Sequence, residues 1–537
     1  MAAVRPMEDR QPDCPRLRPA LQRRSLVRRC VGQAVLPPLV GIFGVAALGS
    51  VNAQESAGRA GWSIVPDIGI RETLTDNLHL ASSDRRAELI TEVSPRLRLS
   101  SNTGLVRGFL DYSLTGIVYA RESSSNAVQQ ALRATGSAEA IEKWAYIDAS
   151  ASISQQNISA LGTQTVGSSL LNDNRTEVAS VRLSPYVRGR FGGFAEYEAR
   201  VSFEATNSKR SNADSRSTVA SLHIGSDSAS LARLGWAADY SHLATDFSAN
   251  GASGNTIDRL TASLTLAATP ELRLTARAGR ESNDYSAPNN GSSANWGWSS
   301  TWAPGERTTL DVSQDRRFFG KSHNVRFQHR MPRSVWTFSD TQDISTNASG
   351  AGAAGQRTVF DLLFAQFASI APDPVLRTAL VDAYLLNNGL TRATLANGGI
   401  LTSGPSVQRD QHLSFAVLGV RTTLLLSAFR NATRALDVAG TVSGDLANGN
   451  SVRQNGQSVN LSHRLTPLSA ISVDFTRTHV ASAKDELATD LRSFTATWST
   501  RLGARLDGSL SLRRAVFDAA VNPYSENALI ANLRVQF

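Results

Sequence analysis

Eight histidines, His79, His223, His242, His323, His329, His412, His463 and His479, are the first candidates for chemistry, and they are scattered. No HExxH, GxSxG or Walker loop accompanies them. His323 and His329 lie six apart on one face of an alternating segment. About 20 Å of strand separates them, so they cannot share a metal, and they read as ordinary strand residues. The arginines are more suggestive. Arg182, Arg188, Arg190, Arg200, Arg273, Arg277, Arg326 and Arg330 all occupy the polar register of alternating segments. Guanidinium pairs well with carboxylates and phosphates. If that register lines a pore, its fixed positive charge favours polyanions such as an acidic polysaccharide. Two plainer readings compete. Only four lysines occur, so arginine usage also fits a GC-rich genome. Glu196, Glu198, Glu204 and Asp474 share the same register and would pair with arginines to brace a wall. No catalytic residue, metal ligand or cofactor site emerges, and the expectation is a protein that is not an enzyme.

The segments that carry these side chains alternate with period two. Leu260, Ala262, Leu264 and Leu266 interleave with Thr261, Ser263 and Thr265; Ala195, Tyr197, Ala199, Val201 and Phe203 interleave with Glu196, Glu198, Arg200, Ser202 and Glu204. One face of each strand is therefore apolar and the other polar. Many segments run to about ten residues or more, the length of a tilted strand crossing a bilayer. Tight joints at Thr269-Pro270-Glu271, Ala303-Pro304-Gly305, Gly192-Gly193, Thr466-Pro467 and Leu506-Asp507-Gly508 contrast with polar stretches at 121–138, 155–174, 246–255 and 481–488. Short turns at one end and long loops at the other are the outer-membrane pattern. A soluble sandwich or solenoid would bury more large residues than 41% hydrophobic content supplies. The fold expected is all-β: a transmembrane antiparallel outer-membrane β-barrel of about 16–22 strands, an even number. The last segment sharpens this, because Leu529, Ala531, Leu533, Val535 and the terminal Phe537 are apolar at every second position. Leu529, Leu533, Val535 and Phe537 resemble the C-terminal signal read by the barrel-assembly machinery.

The start of the chain reads as a leader. Residues 1–30 hold eight arginines and three acids, and an uncharged, mostly apolar run from Val31 to Gln54 follows. Val51-Asn52-Ala53 ends it with a cleavage-like site. These are the parts of a secretory signal peptide, expected over residues 1–53 with the barrel over 54–537. Both cysteines, Cys14 and Cys30, fall in the leader, so the mature chain needs no disulfides and has no thiol chemistry. Of the net charge of +9, the leader supplies 8 − 3 = +5. The remaining +4, with no nucleic-acid motif, gives no reason to expect nucleic acid as a partner.

Residues 358–390 break the alternation. Val359, Phe360, Leu362, Leu363, Phe364 and Phe367 cluster; Asp373-Pro374 reads as a cap and first helical position; Leu376, Ala379, Leu380, Ala383 and Tyr384 recur at helical spacing up to Asn388-Gly389. The expectation is a short helical hairpin inserted at 355–400. It plugs the lumen, caps the periplasmic mouth, docks a partner, or is simply a folded loop.

Gly61-Trp62-Ser63-Ile64-Val65-Pro66, Glu72-Thr73-Leu74-Thr75-Asp76-Asn77, Asp111-Tyr112, Trp144-Ala145-Tyr146-Ile147-Asp148-Ala149 and Asp373-Pro374-Val375-Leu376-Arg377 occur in an order that resembles the PEP-CTERM/exosortase system-associated outer-membrane β-barrel family. The resemblance implies a Gram-negative outer membrane and a role in exopolysaccharide export or envelope assembly, and it brings no functional residues. Expected partners are outer-membrane lipids, the barrel-assembly machinery, acidic exopolysaccharide and periplasmic export components. The leading expectation is a porin-like conduit for polysaccharide or polar solute. The alternative is a non-conducting scaffold that docks secretion or surface-polymer machinery.

Overall fold

The computed structural model describes residues 61–537 except 212, 227–232, 248–253, 285–290, 349–359, 361–362, 365–376, 379–380, 382–384, 386–400, 437–443 and 484–486. The leader expected at residues 1–53 lies outside the described residues.

Alternation builds a single closed sheet. Twenty-two strands run from β1 (Trp62–Thr75) to β22 (Tyr524–Gln536). Each pairs antiparallel with the next, and β22 returns to β1 with Ile70 opposite Leu533 and Leu74 opposite Leu529. Closure leaves no open edge, so the ladder of backbone hydrogen bonds runs all the way round the wall, as a structure surrounded by hydrocarbon requires. The even number of strands is at the top of the expected range. With neighbours about 4.8 Å apart and strands tilted about 40°, the backbone cylinder is about 44 Å across.

Period two sorts the side chains. The outer face carries exposed large apolar residues on every side, among them Ile64, Leu114, Phe203, Leu264, Trp298 and Leu512. The inner face carries Ser, Thr, Asn, Arg, Asp and Glu. Leu529, Leu533, Val535 and Phe537 fall on the outer face, in line with Ile68, Ile70 and Leu74. A continuous belt of this kind suits lipid and not water.

Short turns, such as 103–105, 192–194, 270–271 and 419–421, share the end where the first strand begins and the last one finishes. Gly192 sits at φ +61, which a β-branched residue would resist. Connections at the opposite end include 158–174, 346–405 and 436–450. The stretch 121–138, read from the sequence as a loop, is mostly β4 (Ala127–Ile141). Its outer face is built largely from Val128, Ala134, Gly136 and Ala138, too small to make the alternation obvious. The joint read at 506–508 is the start of β21 (Leu506–Ala519), and the turn is 502–505.

The complete helical elements among the described residues are two 3-10 turns, Ser123–Ser125 and Gly444–Gly449. Neither belongs to the hairpin expected at 355–400, most of which lies outside the described residues. The exceptions, Phe360, Leu363, Phe364, Arg377, Thr378, Val381 and Leu385, are helical.

Candidate functional site in the barrel lumen

All eight arginines singled out in the sequence fall on the inward register, opposite in phase to the exposed apolar residues of their strands. Four come together on β6 (Arg175–Phe191) and β7 (Ala195–Ser208): Arg182, Arg188 and Arg190 face Glu204, Glu198 and Glu196 across the ladder. Arg200 bonds Asp148 at 2.8 Å and Glu198 at 2.9 Å, and its guanidinium stacks 3.8 Å over Tyr186. Arg188 stacks 4.4 Å over Tyr146. The other four lie elsewhere around the wall. On β11 (Leu272–Asn283), Arg277 bonds Asp315 at 3.1 Å, and Arg273 lies opposite Ala267 and Thr301. On β14 (Gly320–Arg330), Arg326 faces Asp311, and Arg330 bonds Gln328 at 3.0 Å. This part of the lumen is a lattice of alternating charges more than a bare cationic wall.

The lattice extends to pairs that sequence reasoning did not single out. Glu281 is fully buried and takes Arg317 at 2.5 Å, while Arg317 also bonds Asp343 at 2.7 Å. Glu526 is fully buried against Arg513 at 2.8 Å. Asp67 joins β1 to β22 through Arg534 at 2.8 Å. The signal available was an arginine or an acid on the polar phase of each strand. The missing information was which strand lies beside which, and in what register.

Unlike the ladder, the turn end of the lumen carries excess positive charge. A cavity of about 1380 Å³ there is lined by Arg98, Arg133, Arg464, Arg501 and Arg534, with Asp507 and a set of serines and threonines. Asp67 holds Arg534 and lies 3.5 Å from Arg98; Asp507 lies 3.7 Å from Arg501. Asp111 stands across the ladder from both Arg98 and Arg133, so the five guanidiniums share Asp67, Asp111 and Asp507. Beside it, Arg107, Arg182 and Arg200 line a second hollow with Asp148.

Both ends of the lumen are narrowed by chain from the loop end. The 158–174 segment folds inward: Leu170 joins Leu78, Ile90, Ile117 and Phe517 in one apolar cluster. Tyr119 donates to the Ser169 carbonyl at 2.6 Å and Tyr524 to the Gln164 carbonyl at 2.5 Å. Asp445 from the 436–450 connection accepts from the Ala160 amide at 2.6 Å. The 346–405 connection reaches further. It enters at the loop end, where the Ala348 amide donates to Ser215 at 3.1 Å and Ala348 packs with Ala213, Phe247 and Leu401. Its residues Phe360, Leu363, Val381 and Leu385 pack together and against Leu418 and Leu425, at the opposite, turn end of the wall. Phe360, Phe364 and Thr378 line the arginine-rich cavity itself. From Ala348 to Phe360 there are 360 − 348 = 12 residues, and extended chain covers roughly 40 Å in that distance, enough to traverse the barrel. The described residues of this connection thus stand at both mouths of the lumen, Ala348 and Leu401 at the loop end and Phe360, Leu363, Val381 and Leu385 at the turn end.

The histidines engage ordinary strand partners: His323 meets Asp340 at 2.9 Å and His329 meets the Thr308 hydroxyl at 2.8 Å. Among the described residues, no group of three or more His, Cys, Asp or Glu is placed to hold a metal.

No protein-family model and no curated protein matches this sequence. Among solved structures it is similar to the FrpB iron transporter from Neisseria meningitidis, at 11% identity and a TM-score of 0.44, covering 89% of this chain and 82% of that one. It is also similar to the siderophore receptor PirA from Pseudomonas aeruginosa, at 10% identity and a TM-score of 0.37, covering 88% and 80%. A third, OccK1 (OpdK) from the same organism, is similar at 9% identity and a TM-score of 0.32, covering 88% and 99%.

Proposed function

We propose that this chain is an outer-membrane conduit for a polyanionic solute, closed at rest by its own 346–405 connection. The observation that carries the proposal is that described residues of that connection pack at both mouths of the lumen, with Phe360, Phe364 and Thr378 lining an arginine-rich chamber at the turn end. In the outer membrane the short turns face the periplasm. The chamber then meets solute arriving from the cell, and the connection separates it from the exterior. Guanidiniums in a confined space recognise carboxylate or phosphate groups spaced along a polymer. The resemblance to exosortase-associated barrels makes an acidic exopolysaccharide the solute of choice, with export from an oxidising periplasm after removal of a leader at residues 1–53.

The scaffold reading draws on a different observation, the ion-pair lattice that fills much of the inner wall. Planar-bilayer recordings separate the two. The full chain is expected to conduct rarely, and a chain lacking residues 355–400 to conduct in large, anion-selective steps. Arg464→Glu with Arg501→Glu should then reduce that selectivity. Silence from both chains, with heat-modifiable migration proving that both barrels fold, refutes the conduit and leaves the scaffold.

A further inference from the structure

The outer face of the barrel is not uniform. Towards the turn end, β16 (Ser406–Leu418) to β19 (Ser469–Ser482) show apolar residues outward, including Leu413, Val459, Leu461, Ile471 and Phe475, each about two-fifths exposed. Towards the loop end the same outward phase turns basic. On β17 (Thr422–Ala435), Ala432 faces Arg409 of β16 (Ser406–Leu418) on one side and Arg453 of β18 (Ser451–Arg464) on the other. Arg430 and Arg434 lie two positions below and above it on its own strand. Cross-strand neighbours are about 5 Å apart and same-face neighbours on one strand about 7 Å apart. Four arginine backbone positions thus surround one alanine, with the Arg409 guanidinium drawn to Asp340 on the other side of β16.

We propose that this frame binds the phosphorylated headgroup of an outer-leaflet lipid. Like charges placed this close repel one another unless an anion sits between them. Arg409 is satisfied by Asp340 at 2.6 Å. Arg430, Arg434 and Arg453 are exposed and have no carboxylate partner among the described residues. The basic field continues on the next two strands, where Arg477 stands directly opposite Arg492 and both rely on Asp490. In all, six guanidiniums meet Asp340, Asp490 and Asp518. On the far side of the barrel the corresponding outward phase holds Thr91, Val118, Gln155 and Ala179, so a composition rich in arginine does not by itself place the patch here.

The position selects the ligand. Arg430 and Arg477 stand two residues beyond Ala428 and Phe475, Arg409 four beyond Leu413 and Arg453 six beyond Val459, so the arginines lie past an apolar belt that sits among acyl chains, on the headgroup side of it. Guanidinium forks match phosphate oxygens in bidentate fashion. The Ala432 gap leaves room for a phosphate between the forks, and two flanking forks can serve a second. A bis-phosphorylated glycolipid has this charge and spacing.

Native mass spectrometry of the full-length protein in micelles, titrated with bis-phosphorylated lipid A or its dephosphorylated form, tests the proposal. The wild type is expected to retain the phosphorylated lipid. The Arg430→Gln/Arg434→Gln/Arg453→Gln variant should lose affinity roughly tenfold or more. Arg280→Gln with Arg316→Gln, outward arginines on other strands, should not. If the triple variant fails to fold, Arg453→Gln alone should still weaken retention measurably. Equal retention by wild type and variant, or equal retention of the dephosphorylated lipid, overturns the proposal. Complete displacement of the lipid by millimolar inorganic phosphate would identify a soluble-anion site instead and overturn the lipid assignment.

Discussion

Replacing Glu281 with alanine isolates how the inner wall is held. The Glu281 carboxylate is fully buried, and the Arg317 guanidinium bonded to it has a side chain only 10% exposed. Removing the acid leaves a buried cation, a loss of about 3–5 kcal/mol when no other partner exists. Asp343 remains bonded to Arg317 at 2.7 Å, but it is 45% exposed and compensates only in part. The expected cost of Glu281→Ala is therefore about 3 kcal/mol, at the low end of that range. Glu281→Gln keeps the shape and an acceptor oxygen and should cost about half as much. Glu281→Leu combined with Arg317→Met removes both charges together and should fall within about 1 kcal/mol of the wild type, because Asp343 can turn to water. Urea unfolding in vesicles, followed by fluorescence of the tryptophans, reads these differences. A double variant as unstable as Glu281→Ala would refute the reasoning, since the loss would then lie in packing and not in an uncompensated charge.

Other parts of the wall give independent expectations. A Cβ at Gly297 would lie 2.0 Å from Asp315 Oδ1 and 2.5 Å from the Gln314 carbonyl, so Gly297→Ala should destabilise the barrel by about 1–3 kcal/mol and loosen the Arg277–Asp315 pair, again read by urea unfolding. Val381→Asp places a charge in the apolar cluster that ends on Leu418 and Leu425; it should release the 346–405 connection and raise open probability in bilayers without lowering barrel stability. Deleting Phe537 removes the outward terminal ring and should slow assembly in vesicles containing the barrel-assembly machinery, seen as a smaller heat-modifiable fraction at early times, with the final barrel unchanged.

The wall was readable in the sequence because period two is a local property. Leu260 to Leu266 or Ala195 to Phe203 show their two faces without reference to any neighbour, and the inward phase of Arg182 and Arg200 follows from the same count. The relations between strands are not local. Nothing near Glu281 indicates that Arg317, two strands and 36 residues away, will close over it. The same holds for Asp67 and Arg534, which meet only because the first and last strands join. β4 reads as a loop in the sequence because its outer face is mostly alanine, glycine and valine, so the contrast between its faces is weak. The 346–405 connection broke the alternation visibly, but its destination depended on the wall it crosses: Leu418 and Leu425 are unremarkable strand residues until Phe360 and Val381 reach them.

The distribution of charge bears on how the proposed conduit would avoid holding its cargo. Conduction needs sites strong enough to admit a polyanion and weak enough to release it. A wall of unpartnered arginines would bind a polymer at many points and retain it. On β6 and β7, Arg182, Arg188 and Arg190 instead stand opposite a glutamate and Arg200 bonds two acids, so a passing carboxylate or phosphate would exchange with a resident one and gain little net energy. The turn-end cavity gathers five guanidiniums around Asp67, Asp111 and Asp507. In the proposed conduit that arrangement would draw anions to the mouth and pass them along a nearly neutral track. Displacement of the 346–405 connection, whose described residues pack at both mouths, would control the flow through such a conduit more than any change in the wall.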